Sequence, residues 1–113
     1  HLEQLLESPE RPTALVFVND TVALMSQPIL AKTKLRVPQD LSVVTFGDNV
    51  WSSYMIPPLS TTHENNSGVA NAAFDLLLKR VDDPTLSPMQ TLVEPEIVWR
   101  ESAGPAPKVA AAK

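Results

Sequence analysis

Three short polar clusters follow apolar runs in this sequence. Asn19 and Asp20 follow "TALVFV", Gly47, Asp48 and Asn49 follow "LSVVTF", and Asn65 and Asn66 follow "LSTTH". Asn and Asp side chains can pair bidentately with vicinal hydroxyls or amide edges, and Trp51 offers an apolar face on which a ring can stack. The chemistry this set supports is binding of a small polar molecule. Turn and helix-cap duty is the competing reading, because Asn and Asp are ordinary residues at both. Asp20 in particular is placed to cap the segment "TVALMSQPILAKTK". No catalytic frame accompanies the clusters. There is no G-x-S-x-G elbow, and the three glycines, Gly47, Gly68 and Gly104, form no phosphate-cradling loop. The two histidines, His1 and His63, lack metal-ligand spacing, and there is no cysteine. The sequence therefore assigns no catalytic residue, no metal and no cofactor, and the expectation is a protein that binds rather than an enzyme.

The elements that must position these residues read as helix, strand, helix, strand, loop, strand, helix, strand. Leu2, Leu5 and Leu6 fall at helical spacing, and the prolines of "SPERP" end that helix. "TALVFV" is continuously apolar, which predicts a strand buried on both faces, as in a parallel sheet. The next helix should use Ala23, Leu24, Leu30 and Ala31 on its apolar face, with a kink or early break at Pro28. "LSVVTF" and "LSTTH" are the second and third strands, separated by the loop "GDNVWSSYMIPP", which has room for one helical turn. A helix over about Asn66–Asp82 follows, capped by Asn66 or Ser67, with Val69, Ala73, Leu76 and Leu77 on one face. "QTLVEPEIVWRES" reads as one or two strands interrupted by Pro95. This order gives an α/β fold with a mainly parallel sheet flanked by helices. In such sheets ligands bind outside the carboxyl ends of the strands, where all three polar clusters lie.

The 113 residues are 43% hydrophobic and carry a net charge of −4, which suits a globular core and gives no bulk attraction to a nucleic-acid backbone. No run approaches the roughly 18 apolar residues of a membrane helix. The sequence opens inside an apparent helix without an initiator Met, and is read as part of a longer protein.

At these same residues the sequence resembles the lactose-repressor (LacI/GalR) family of bacterial transcription regulators. The resemblance rests on "RPTALVFVNDTVAL", "LRVPQDLSVVTFGD", "YMIPPLSTT" and "EPEIVWRES", which occur in the family's order and near its spacing, over roughly Arg11 to Ser102. It implies a partial periplasmic-binding-protein-like (type I) sensor lobe. Residues 1–102 would form the C-terminal part of an effector-binding and dimerisation module, and 103–113 a disordered tail. The effector would be a small metabolite, a sugar or related polyol, held by Asn19, Asp48, Asn65 and Trp51. Met25, Ile29 and Tyr54 would meet a second subunit in a homodimer. Operator DNA would be read by an N-terminal helix-turn-helix absent from this chain, in a cytoplasmic protein with no membrane partner. The sequence departs from the family at Gly47, where an Asp usually binds the effector, and at Lys34, where a Gly usually ends the helix. Either Asp48 substitutes for the missing carboxylate through a small backbone shift, or the pocket lacks that carboxylate. The apolar face of the Asn66–Asp82 helix would lack its usual lobe, which predicts self-association. A periplasmic sugar-binding protein of a transporter is the alternative, less well matched by "RVPQDLSVV" and "PPLSTT"; a fragment of an α/β enzyme is a third reading.

Overall fold

The computed structural model describes residues 1–107. The elements are α1 (Leu2–Glu7), β1 (Ala14–Phe17), α2 (Asp20–Thr33), β2 (Ser42–Gly47), a 3₁₀ turn (Val50–Ser53), β3 (Ser60–His63), α3 (Asn66–Asp82) and β4 (Glu96–Val98). They fall into two compact units. One is His1–His63 with the chain from Ile97 onward, and the other is Glu64–Glu96.

In the first unit the strands lie in the order β1-β2-β3-β4. β1, β2 and β3 are parallel, with Leu15 beside Val43, Phe17 beside Thr45 and Thr45 beside Thr61. Beyond β4 the chain runs against β3. Arg100 N–H donates to Ser60 Oγ, and two residues later Ser102 N–H donates to the Pro58 carbonyl, so the partners retreat as the chain advances. The sheet is therefore mixed, with a parallel core of three strands.

Leu6, Ala23, Leu30, Leu41, Val43, Met55 and Leu59 form the buried core, with Leu2, Leu15, Phe17, Leu35 and Val37 packed around it. One face of β1 and β2 is thus covered by α2, which α1 joins. The expectation that β1 is buried on both faces fails. Val16 is 68% exposed and Phe46, two positions beyond its neighbour Val44, is 47% exposed. Among the described residues nothing covers that side of β1. Leu24, expected on the inner face of α2, is instead exposed, and Ser26 takes an inner position. The Ser26 hydroxyl is tolerated there because it donates to the Ala23 carbonyl at 2.7 Å.

α2 runs unbroken through Pro28 to Thr33, so the early break considered at that proline does not occur. The helix ends at Lys34 in the left-handed conformation, with φ 58° and ψ 10°. The turn into β2 is fastened by Asp40. Its carboxylate accepts from Arg36 Nε at 2.7 Å and Nη2 at 2.9 Å, and from the Arg36 N–H at 3.0 Å. These bonds hold Asp40 well below the usual carboxylate range.

Ser102 sews the return segment into the sheet. Its hydroxyl donates to the Val43 carbonyl at 2.6 Å and accepts the Ser60 N–H at 2.7 Å, while its carbonyl accepts the Val43 N–H at 2.7 Å. Part of the tail expected from residue 103 is also engaged: Gly104 N–H donates to Ser42 Oγ at 3.2 Å. Residues 108–113 of that expected tail lie outside the described residues.

The second unit is built on α3. Its cap is Asn65, not Asn66 or Ser67: Asn65 Oδ1 accepts the Gly68 N–H at 2.8 Å. No residue of α3 is buried. Val69 and Leu77 of the expected apolar face are exposed, as are Phe74, Leu78 and Val81.

Lys34 supplies a direct test of the α2 terminus. A Cβ in the left-handed region is disfavoured and glycine is not. Lys34→Gly is expected to raise the free energy of unfolding by about 0.5–1 kcal/mol, read as a higher urea midpoint with unchanged slope.

Candidate functional site

Asn19, Gly47, Asp48 and His63 stand at the carboxyl ends of the three parallel strands, where the sequence places the binding residues. The cap of α2 is Asn19, not Asp20 as expected. Asn19 has extended backbone (φ −159°, ψ 166°), and its Oδ1 accepts the Val22 N–H at 2.8 Å. It is the N-cap of α2, which leaves its amide NH₂ as the group open to a ligand. Asp20, one residue inside the helix, is 1% exposed and turned toward the loop after β2. One carboxylate oxygen accepts the Asn49 N–H at 2.7 Å and the Ser52 hydroxyl at 3.0 Å; the other accepts Asn49 Nδ2 at 2.7 Å. Burial opposes the charge, but the bonds from Asn49, Ser52 and the Thr21 N–H outweigh it and hold the Asp20 carboxyl below its ordinary value.

Gly47 explains how the carboxylate fits. Its φ is +125°, and a Cβ there would lie 3.3 Å from the Asp20 carboxyl carbon and from both its oxygens. An Asp at this position would bring a second negative group against a buried one.

Asp48 follows with φ 86°. Its Oδ1 accepts from Arg100 Nη2 at 2.6 Å, and its Oδ2 lies 3.3 Å from His63 Nδ1. Arg100 also donates through Nη1 to the Leu59 carbonyl at 2.8 Å. Both Asp48 oxygens are thus engaged, and the guanidinium is largely enclosed. Sequence reasoning missed Arg100 and His63. The available signal was an Arg directly after the apolar segment "EIVW", in a stretch that had to rejoin the sheet.

Two candidate residues remain, Trp51 and Asn65. Trp51 lines a cleft of about 370 Å³ with Leu24, Gln27, Tyr54, Met55 and Ile56, so of the expected subunit-contact residues it is grouped with Tyr54. Asn65 spends its side-chain oxygen on the cap of α3. Of the contact candidates, Met25 is 73% and Tyr54 79% exposed, while Ile29 is half-buried. A second cleft, of about 180 Å³, lies between α2 and the segment ending at Leu59; Gln27 is the one polar side chain lining it. That lining offers a hydroxyl-rich molecule almost nothing to bond. Thr62 Oγ1, at the end of β3, is buried with no hydrogen-bond partner among the described residues.

The chain matches the periplasmic binding protein-like domain over residues 1–103. It is 35% identical to the ribose operon repressor of Escherichia coli K12 over 102 residues, 90% of this chain and 31% of that protein. It belongs to the LacI/GalR family. A LacI-family regulator from Bifidobacterium animalis superposes with a TM-score of 0.80 at 30% identity, over 92% of this chain and 38% of that one. A LacI-family regulator from Lactobacillus casei, solved with bound sucrose, gives 0.68 at 27% identity, over 89% and 38%. The chain spans about a third of the length of the curated relatives it matches. The family fold accounts for the mixed α/β sheet. Where the resemblance puts an Asp, this LacI/GalR member has Gly47, and the carboxylate next to it is Asp20.

The lowered Asp20 pKa fixes the sign of an acid effect. A depressed carboxylate contributes stability above its unfolded value of 3.8 and loses it as pH falls through the folded value. Asp40 and Asp83 act in the same sense. Urea unfolding followed from about pH 5 to about pH 2 should therefore show falling stability. In Asp20→Asn the chain should start less stable and the fall should be shallower.

Proposed function

We propose that this chain is the effector-binding and dimerisation portion of a cytoplasmic, DNA-binding transcriptional regulator, and that its effector is a sugar or related polyol. One observation carries the reading: a LacI/GalR-family chain with polar groups from three separate segments gathered at the carboxyl ends of a parallel sheet. The sucrose complex of the Lactobacillus casei relative supports the choice of effector class. The Asn19 amide donates to an effector hydroxyl. Asp48, already bonded to Arg100, presents a carboxylate oriented by its cation rather than a free one. The Trp51 ring supplies an apolar wall on the loop side. Met25, Ile29 and Tyr54 form the contact with a second subunit, and operator DNA is read by a helix-turn-helix outside this chain. The reaction class is binding, with no bond made or broken. The effector acts by favouring one arrangement of the subunits over another. No helix among the described residues is long and apolar enough to cross a membrane.

Asn19 separates the two duties of the rim. Asn19→Ala removes the cap as well as the amide and should cost about 1 kcal/mol of stability. Asn19→Asp keeps a capping oxygen and exchanges the amide donor for a carboxylate oxygen that can only accept. In the intact regulator, calorimetry with a panel of mono- and disaccharides should show affinity weakened about tenfold by either variant, equivalent to about 1.4 kcal/mol. Unchanged affinity in Asn19→Asp would remove Asn19 from the site.

The isolated chain leaves apolar faces on α3 and around Met25, Tyr54 and Ile56. Faces of this kind bury themselves against a partner. Sedimentation velocity at tens of micromolar, roughly where weak dimers form, should detect self-association, and Tyr54→Lys should reduce it. A monomer at every concentration would rule out the proposed contact in this chain.

A further inference from the structure

The loop between β2 and β3 is held at two points on either side of an unusual joint. Gly47 and Asp48 have consecutive positive φ values of 125° and 86°. A non-glycine residue persists in that region when its surroundings over-determine it. On one side Arg100 and His63 hold the Asp48 carboxylate. On the other, Asp20 holds the next residue, Asn49, by both its backbone and its side chain, and reaches Ser52 as well. Downstream the loop is bonded to itself. Ser52 N–H donates to the Asn49 carbonyl at 2.9 Å, Tyr54 N–H to the Trp51 carbonyl at 2.9 Å, and Leu59 N–H to the Ser52 carbonyl at 2.8 Å. Such a segment moves as a piece rather than residue by residue.

We propose that Asp20 is a positioning residue: by gripping Asn49 and Ser52 it ties the loop that bears Trp51 and Tyr54 to the polar rim at Asp48, so that a displacement at Asp48 is transmitted to the Trp51–Tyr54 surface. The buried carboxylate makes the tie stiff, because any motion of Asn49 away from it leaves a charge without its donors. Arg100 is the opposing grip. A change in the Asp48–Arg100 pair alters the load on the joint, and Asp20 determines where that load goes. What the transmission serves, communication between effector and subunit contact, rests on the function proposed above. The link itself does not, and it can be tested without any effector.

The test uses the full 113-residue chain with Trp99→Phe, which leaves Trp51 as its one tryptophan. Asp48→Asn weakens the Arg100 grip, and acrylamide quenching reads Trp51. With Asp20 intact, Asp48→Asn should change the quenching constant about twofold; with Asp20→Asn in place, the same substitution should have no further effect, the non-additivity expected of coupled groups. Amide exchange at Asn49 and Ser52 should rise about tenfold or more in Asp20→Asn, while Val43 in the sheet keeps its protection, as local opening requires. Where Asp20→Asn does not fold, Asn49→Ala serves as the second variant, since its exposed side chain removes one of the three donors from the loop side. A Trp51 response to Asp48→Asn that is equal with and without the Asp20 grip would overturn the proposal. So would unchanged exchange at Ser52 in the variant that folds. Because no effector is present, neither result bears on whether the rim binds a sugar.

Discussion

A buried carboxylate governs the arrangement of this molecule's functional end. Asp20 is enclosed yet ionised, and an enclosed charge without donors costs several kcal/mol. The chain supplies those donors from Asn49 and Ser52, far along the sequence, and this fixes the loop after β2. A Cβ at position 47 would press on the same carboxylate at 3.3 Å, and the backbone there has φ +125°, a region that favours glycine. The start of α2, the exit of β2 and the first turn of the loop are thereby one construction rather than three neighbouring ones.

The two acids at this end are handled differently. Asp20 is solvated by neutral donors and keeps its full charge inside the protein. Asp48 is matched with a cation, Arg100, which is itself steadied by the Leu59 carbonyl. The first arrangement builds the backbone; the second leaves a nearly neutral pair at the rim.

Element type and order were legible in the sequence because apolar runs, prolines and polar breaks all agree. The parallel pairing of β1 with β2 follows from the strand–helix–strand order, while β2 and β3 are parallel although only a loop with one 3₁₀ turn joins them. The caps were misread in both long helices, as Asp20 where Asn19 caps and as Asn66 or Ser67 where Asn65 caps. The pairs Asn19–Asp20 and Asn65–Asn66 each offer two competent side chains, and backbone conformation at a single residue decides between them. Asp20 drew the cap assignment by residue type, while its real partners are 29 and 32 positions away and invisible to local reasoning. β1 was read as doubly buried because its sequence is continuously apolar. That pattern describes a strand suited to two covered faces, and among the described residues only one is covered. Arg100 escaped notice because its meaning depends on β4 returning beside β3.

The Ser102 knot has a consequence for how the chain comes to be folded. Residues Ser102 to Gly104 bond to Ser42, Val43 and Ser60 at the beginnings of the two central strands, across separations of 42 to 62 residues. Contacts that distant close slowly, because the loop entropy must be overcome before they form. During synthesis, β1 to β3 have all emerged while the amino ends of β2 and β3 still lack their final partner. On the ribosome Val43 and Ser60 therefore lack these partners until Ser102 to Gly104 have emerged.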